Sequence, residues 1–210
     1  MLTEIFRAFG EYKKLTAVLI VAVVLMLFMW VMALRAAKKR NAERDKILAR
    51  LQEENALRSE FAAVTPEQAQ SADCFRMLHG IALHIQKELE KSTDMVAAFR
   101  ALPQEKQYIY ALSFVFCEDA ETLCTFFRLN EKPLTEAALS AAREMFDAAH
   151  LAQFEKAYRM FDSDDETTST IASEMQALDE SFAVGQEPLK DGIRQYITAH
   201  TQALQYTLEG

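Results

Sequence analysis

Three patterns of apolar and polar positions follow one another along the chain. From Leu15 to Leu34 (LTAVLIVAVVLMLFMWVMAL) twenty consecutive residues carry no charge. A helix of that length rises about 30 Å, the thickness of a hydrocarbon core. Its apolar residues face every direction, whereas a surface helix of a globular domain shows one apolar stripe. A cleaved signal peptide has a shorter apolar core, about 7–15 residues, closed by small residues. Here the run leads instead into Arg35, Lys38, Lys39 and Arg40. The pattern predicts an uncleaved transmembrane helix over 15–36, a single pass. Arg7, Lys13 and Lys14 precede it; Arg35, Lys38, Lys39, Arg40, Arg44, Lys46 and Arg50 follow. That asymmetry places the C-terminal side in the cytoplasm, with Tyr12 and Trp30 as interfacial aromatics. In the short segment 1–14, Leu2, Ile5, Phe6 and Phe9 share one helical face, as in a helix lying in a membrane interface.

The second pattern covers 37–64. Charged helix formers carry a sparse apolar stripe of Ile47, Leu51, Leu57 and Phe61. A coiled coil needs three or four full heptads, and this stripe falls short. The expectation is a helical stalk continuing from the span, with self-association into a homo-oligomer as one use for it. Thr65-Pro66-Glu67-Gln68 then reads as a helix start: Thr65 as cap, Pro66 at the first helical position, Gln68 closing a capping box.

The third pattern, from 65 to 210, is helical periodicity throughout. Cys74, Phe75, Leu78, Ile81, Ala82, Ile85 and Leu89 form one face, and a short helix from Met95 ends before Pro103. Tyr108, Leu112, Val115, Phe116, Leu123, Phe126 and Phe127 predict one long, central apolar helix. Pro133 and Thr135 mark the next start, followed by Ala138, Ala142, Met145 and Phe146. The stripe shifts register near His150 before Leu151, Phe154, Tyr158 and Phe161 resume it. Ile171, Met175, Leu178 and Phe182 predict a helix ended by Gly185 and Pro188, and Leu189, Ile193, Tyr196 and Ile197 predict the last. No window alternates with period two, so the fold class is all-α, with about seven helices in the acidic domain.

Composition sharpens this. The chain has 23 basic and 31 acidic residues, a formal charge of −8. Residues 1–60 hold eleven basic and seven acidic side chains; residues 61–210 hold twelve and twenty-four, a net of −12. A cationic membrane-proximal part therefore carries an acidic domain, which repels phosphate backbones and argues against direct nucleic-acid binding. Five scattered glycines exclude a Gly-rich nucleotide cradle. Cys74, Cys117 and Cys124 read as reduced, buried thiols of a cytoplasmic domain. On one helix Cys117 and Cys124 would stand about 10 Å apart, too far for a disulfide.

Candidate chemistry is sparse. Asp119 falls on the apolar face of the long central helix, where a carboxyl needs a partner or a shifted pKa, so it is the candidate buried acid. Glu144, Asp147 and His150 share a face at metal-ligand spacing, but no second set completes a site. His79, His84 and His200 form no helical metal pair, and His200 reads as a satisfied core histidine. In the acidic loop, Asp162, Asp164 and Glu166 alternate, yet Thr167 and Ser173 stand where an EF-hand requires Gly and Glu. Neither metal nor cofactor is expected. Asp162, Asp164, Asp165 and Glu166 remain the candidate partner-binding residues, an acidic patch suited to a basic protein.

The order of segments around these residues resembles a known family. Thr125-Phe126-Phe127-Arg128-Leu129-Asn130, an Ala-rich helix from Ala137 to Phe146, Leu178-Asp179-Glu180-Ser181-Phe182 and Leu189 to His200 are similar to the DMP19-like (DUF4375) domain over about residues 105–205. Where that family carries Asn-Gly-Gly before its paired aromatics, this chain has Asp119-Ala120-Glu121-Thr122. The resemblance implies an all-helical bundle. The family's namesake is an acidic protein that imitates DNA charge and binds a transcription factor.

Together these readings give a membrane-anchored, non-enzymatic interaction protein. It presents an acidic helical domain to a basic cytoplasmic protein, its other partner being the lipid bilayer. Two alternatives stay open: a structural membrane protein self-associating through its stalk, and an enzyme with an unrecognised site near Asp119, Cys117 and His150.

Overall fold

The computed structural model describes residues 43–117, 122–162 and 172–206, with positions 25, 26, 28–30, 32, 38, 40 and 41 before them. Every described element is a helix. The chain divides into two units, Met1–Gln52 and Glu53–Gly210. In the first, the described positions are helical and exposed. Among the described residues no helix is long and apolar enough to cross a membrane. The uncharged run 15–34 lies mostly outside them.

The second unit opens with helical residues 53–60 (α1). It continues through α2 (Pro66–Ser71), α3 (Cys74–Leu89), α4 (Met95–Ala101), α5 (Gln104–Phe116), α6 (Leu123–Leu129), α7 (Leu134–Met145), α8 (Ala148–Asp162), α9 (Ala172–Phe182) and α10 (Glu187–Ala199). The part of the expected stalk over 57–64 belongs to this unit's core. Leu57, Phe61 and Val64 are buried. Phe61 lies so close to Gly80 of α3 that a β-carbon there would overlap its ring. Only a residue without a side chain allows that approach.

Local chemistry sets the breaks. Thr65, Asp73, Asp94 and Thr122 each accept a backbone N–H from three residues on, at 3.2, 2.8, 2.9 and 3.2 Å, capping α2, α3, α4 and α6. The Gln68 side chain does not close a capping box. Its amide donates instead to the Glu60 carbonyl at 3.1 Å, tying α2 back to α1. Pro188 does not end α9 but sits in the first turn of α10, where its missing N–H costs nothing. The turn itself is made at Gly185, whose φ of +70° is left-handed.

The long central helix expected over 108–127 is two helices. α5 ends at Phe116, and α6 starts afresh behind Thr122, whose φ of −148° and ψ of 159° are extended. Apolar spacing of 3.6 residues carried across this break by coincidence, and the Thr122-x-x-Thr125 cap was the overriding local signal. α5 is central all the same. Its residues from Tyr108 to Ser113 are buried without interruption, because α3 packs on one side and α7 on the other. α7 in turn meets α8 and α10, and α6 rests on α8 and α9. At the α7–α10 crossing Gly192 lies against the Met145 carbonyl, so that a β-carbon would overlap the oxygen. The finer division into short helices exceeds the seven expected from periodicity.

This close approach makes a stability prediction. Gly192→Ala must push backbone from backbone, and overpacking of this kind costs about 1–3 kcal/mol. Urea unfolding of the full chain in detergent should show its midpoint lowered, and an unchanged midpoint contradicts the packing described.

Candidate functional site

The residues singled out in the sequence divide sharply. Asp119, Asp164, Asp165 and Glu166 lie outside the described residues. Asp162 is the last residue of α8, and its side chain is also outside them. What the structure supplies is the helical frame to which those stretches attach: the end of the bundle formed by α6, α8 and α9.

α6 is fixed there from two directions. Thr122 caps it locally, and Asp179 of α9 accepts the Cys124 N–H at 2.9 Å. A carboxylate at a helix N-terminus satisfies an orphan amide and faces the positive end of the dipole. Behind this polar contact, Phe126 and Phe127 meet Phe154 of α8 with ring centroids 6.4 and 5.0 Å apart. Cys124 donates its S–H to the Met175 carbonyl. Burial, with Asp179 adding to it, pushes its thiol up to about 12. Cys74 is likewise raised to about 12 by burial. Both thiols are therefore unreactive at neutral pH. Cys117 is half-buried rather than buried and donates to the Phe75 carbonyl at 3.3 Å. It caps the end of α5, so it does not share a helix with Cys124.

Arg128 follows at the exposed edge of α6, one guanidinium nitrogen 3.7 Å from the Met175 sulfur. It stands between two hollows. The larger, of about 690 Å³, is walled by Phe127 and Tyr158 and carries Asn130, Lys132 and Thr135. The smaller, of about 420 Å³, runs between α6 and α9 past Thr125, Met175, Gln176 and Glu180. Their described linings contain hydrogen-bonding and charged groups against aromatic walls, and neither cysteine nor histidine.

The proposed alternative cluster of Cys117 and His150 is engaged elsewhere. His150 is 6% exposed. Its Nδ1 lies 2.5 Å from Asp147 Oδ2, and its Nε2 lies 3.2 Å from the Val184 carbonyl oxygen. Both ring nitrogens are thus engaged, one with a side chain and one with the backbone. Asp147 also accepts the amides of Ala149 and His150, starting α8. Glu144, expected on the same face, is turned to α5, accepting from Gln104 at 3.2 Å. The histidine thus ties α8 to the α9–α10 turn and is not presented to solvent. No group of three or more metal-ligating side chains occurs among the described residues.

A third polar cluster escaped sequence analysis, because its members are far apart in the chain. His84 of α3 donates from Nε2 to the Arg58 carbonyl at 2.6 Å and stacks on Tyr206, with ring centroids 4.7 Å apart. Lys106 lies 4.3 Å from the Tyr206 ring centroid and pairs with Glu88 at 3.0 Å. The Tyr206 amide donates to the Ala62 carbonyl at 2.8 Å. The His200 ring bonds the Tyr196 carbonyl of its own helix end through Nδ1 at 2.9 Å.

No protein-family model, curated protein or solved structure matches the chain.

The clusters give stability a defined pH dependence. Burial first, then the cations Arg58, Lys87 and Lys106, hold the His84 pKa below 6.5, against the opposing Arg58 carbonyl. The stability this represents is present above about pH 6.5, the unfolded value, and is lost as pH falls through the lower folded one. At Asp147 burial acts upward as the largest single effect. The hydrogen bonds from His150 and Ala149 together outweigh it, so the pKa lies below 3.8. Its contribution persists above that value and is lost further into acid. Chemical denaturation across pH should show a decline below about 6.5 and a second below about 4. His84→Phe, which keeps a ring on Tyr206, should flatten the first decline; an unaltered profile contradicts the assignment.

Proposed function

We propose that this chain is a single-pass, membrane-anchored interaction protein whose acidic all-helical cytoplasmic domain docks a basic protein partner. One observation carries the anchor. Leu25, Met26, Phe28, Met29, Trp30 and Met32 are helical, and their side chains are 52–74% exposed. On a helix these six positions spread over a little more than half of the circumference, and the whole run 15–34 is uncharged. Leaving one such side chain in water forgoes about 1.5–3 kcal/mol. Lipid supplies the missing cover on all faces at once, and the excess of Lys and Arg after the run sets the orientation.

The partner reading rests on charge. Residues 61–210 carry twice as many acidic as basic side chains. Such a field draws basic surfaces and weakens with salt. The likeness of 105–205 to the DMP19-like domain, whose namesake engages a transcription factor, supports the same reading by analogy. Self-association through 43–52 is the second reading, favoured by the exposure of Ile47, Leu48 and Leu51.

Two measurements test this. Alkaline carbonate should leave the full chain in the membrane pellet and release a chain lacking 1–36; release of both removes the anchor. A bait of residues 53–210, beginning at 53 because Leu57, Phe61 and Val64 are core, should capture a basic protein at low salt and lose it at high salt. Capture that salt does not weaken contradicts the electrostatic docking.

A further inference from the structure

The helix over 43–52, together with the described helical positions 38, 40 and 41, presents an exposed face. Arg40, Arg44, Ile47 and Leu51 recur at i, i+4, i+7 and i+11, and Leu48 lies beside them, so five side chains occupy one sector of the helix. All five are exposed, the three aliphatic ones by 49–60%. An exposed aliphatic row with two arginines in line is ill suited to water and to an apolar protein core alike. It fits a surface that is apolar beneath and anionic on top. We propose that this face docks on anionic phospholipid headgroups, laying the juxtamembrane helix against the bilayer.

This deepens the function proposed above and rests on its membrane anchor. Charge complementarity identifies the occupant. Lys38, Arg40, Arg44, Lys46 and Arg50 outnumber Glu43 and Asp45 in this stretch, and a cluster of four to eight basic residues beside a membrane helix draws acidic lipid. The aliphatic row then enters the boundary of the acyl chains, while the long arginine side chains reach outward to phosphate. The acidic domain has the opposite charge and gains nothing from the same surface. The lipid composition of the membrane then sets how often the helix is docked.

The test uses the full chain, reconstituted in vesicles of phosphatidylcholine alone or mixed equally with phosphatidylglycerol. Trp30 is the sole tryptophan, so Trp30→Phe with Leu48→Trp gives a single probe on the face. The expected result is a blue-shifted emission, quenched by brominated lipid, in anionic vesicles only. High salt or the added pair Arg40→Glu and Arg44→Glu should abolish the shift. Emission that is identical in both vesicles and indifferent to charge reversal, in a chain that floats with the vesicles, overturns the docking. So does a shift that grows with the protein-to-lipid ratio and resists brominated lipid, which assigns the face to a second copy of the chain. Failure of the anchor is separately visible, as a chain stripped from neutral vesicles by alkaline carbonate.

Discussion

The fold turns on one buried ring. Phe154 of α8 is fully buried and meets Phe126 and Phe127 of α6, Phe146 beyond α7, and Phe182 of α9, with centroids 5.0–6.4 Å apart. Four elements converge on it. Aromatic pairs of this kind contribute about 0.5–1.5 kcal/mol each beyond the area they bury. Phe116 extends the cluster to α5 through Phe146 and Phe182. The Arg128 edge and both hollows hang on this aromatic floor.

The polar ties repeat one arrangement. Asp179 to the start of α6, His150 to the Val184 carbonyl, and His84 to the Arg58 carbonyl each join elements distant in the chain. Each places a side chain on a backbone group that its own helix or turn leaves unsatisfied. These contacts fix where helices end relative to one another, which apolar packing alone leaves loosely specified. The ion pairs on the surface, such as Arg143 with Glu155, are more exposed and add less.

Much of this was legible in the sequence, for physical reasons. Strong amphipathic faces such as Cys74–Leu89 announce helices because burial enforces their spacing. The cap at Thr65 was readable as a single polar residue before Pro66. The break between α5 and α6 was hidden because apolar spacing ran on across it, and only Thr122 signalled a new start. The end of the stalk was misplaced because Leu57, Phe61 and Val64 are too few to display a period, although Gly80 across the core receives Phe61. The His84–Tyr206 stack depends on residues more than a hundred positions apart, and no spacing rule reaches that far. Asp119 and the patch from Asp164 to Glu166 lie outside the described residues.

The account separates a domain that covers its own apolar surface from a helix that covers none of it. Leu57, Phe61 and Val64 are buried by protein, while Leu25, Met26, Phe28, Met29, Trp30 and Met32 are exposed. Lipid as the missing solvent is therefore the central claim. The most direct measurement is spin-label accessibility at positions 25, 26, 28, 29 and 30 of the full chain in bilayers, with oxygen and a nickel chelate as relaxants. The account predicts high oxygen and low chelate accessibility at all five positions. Protection from both relaxants along one face would place these residues against protein and contradict it.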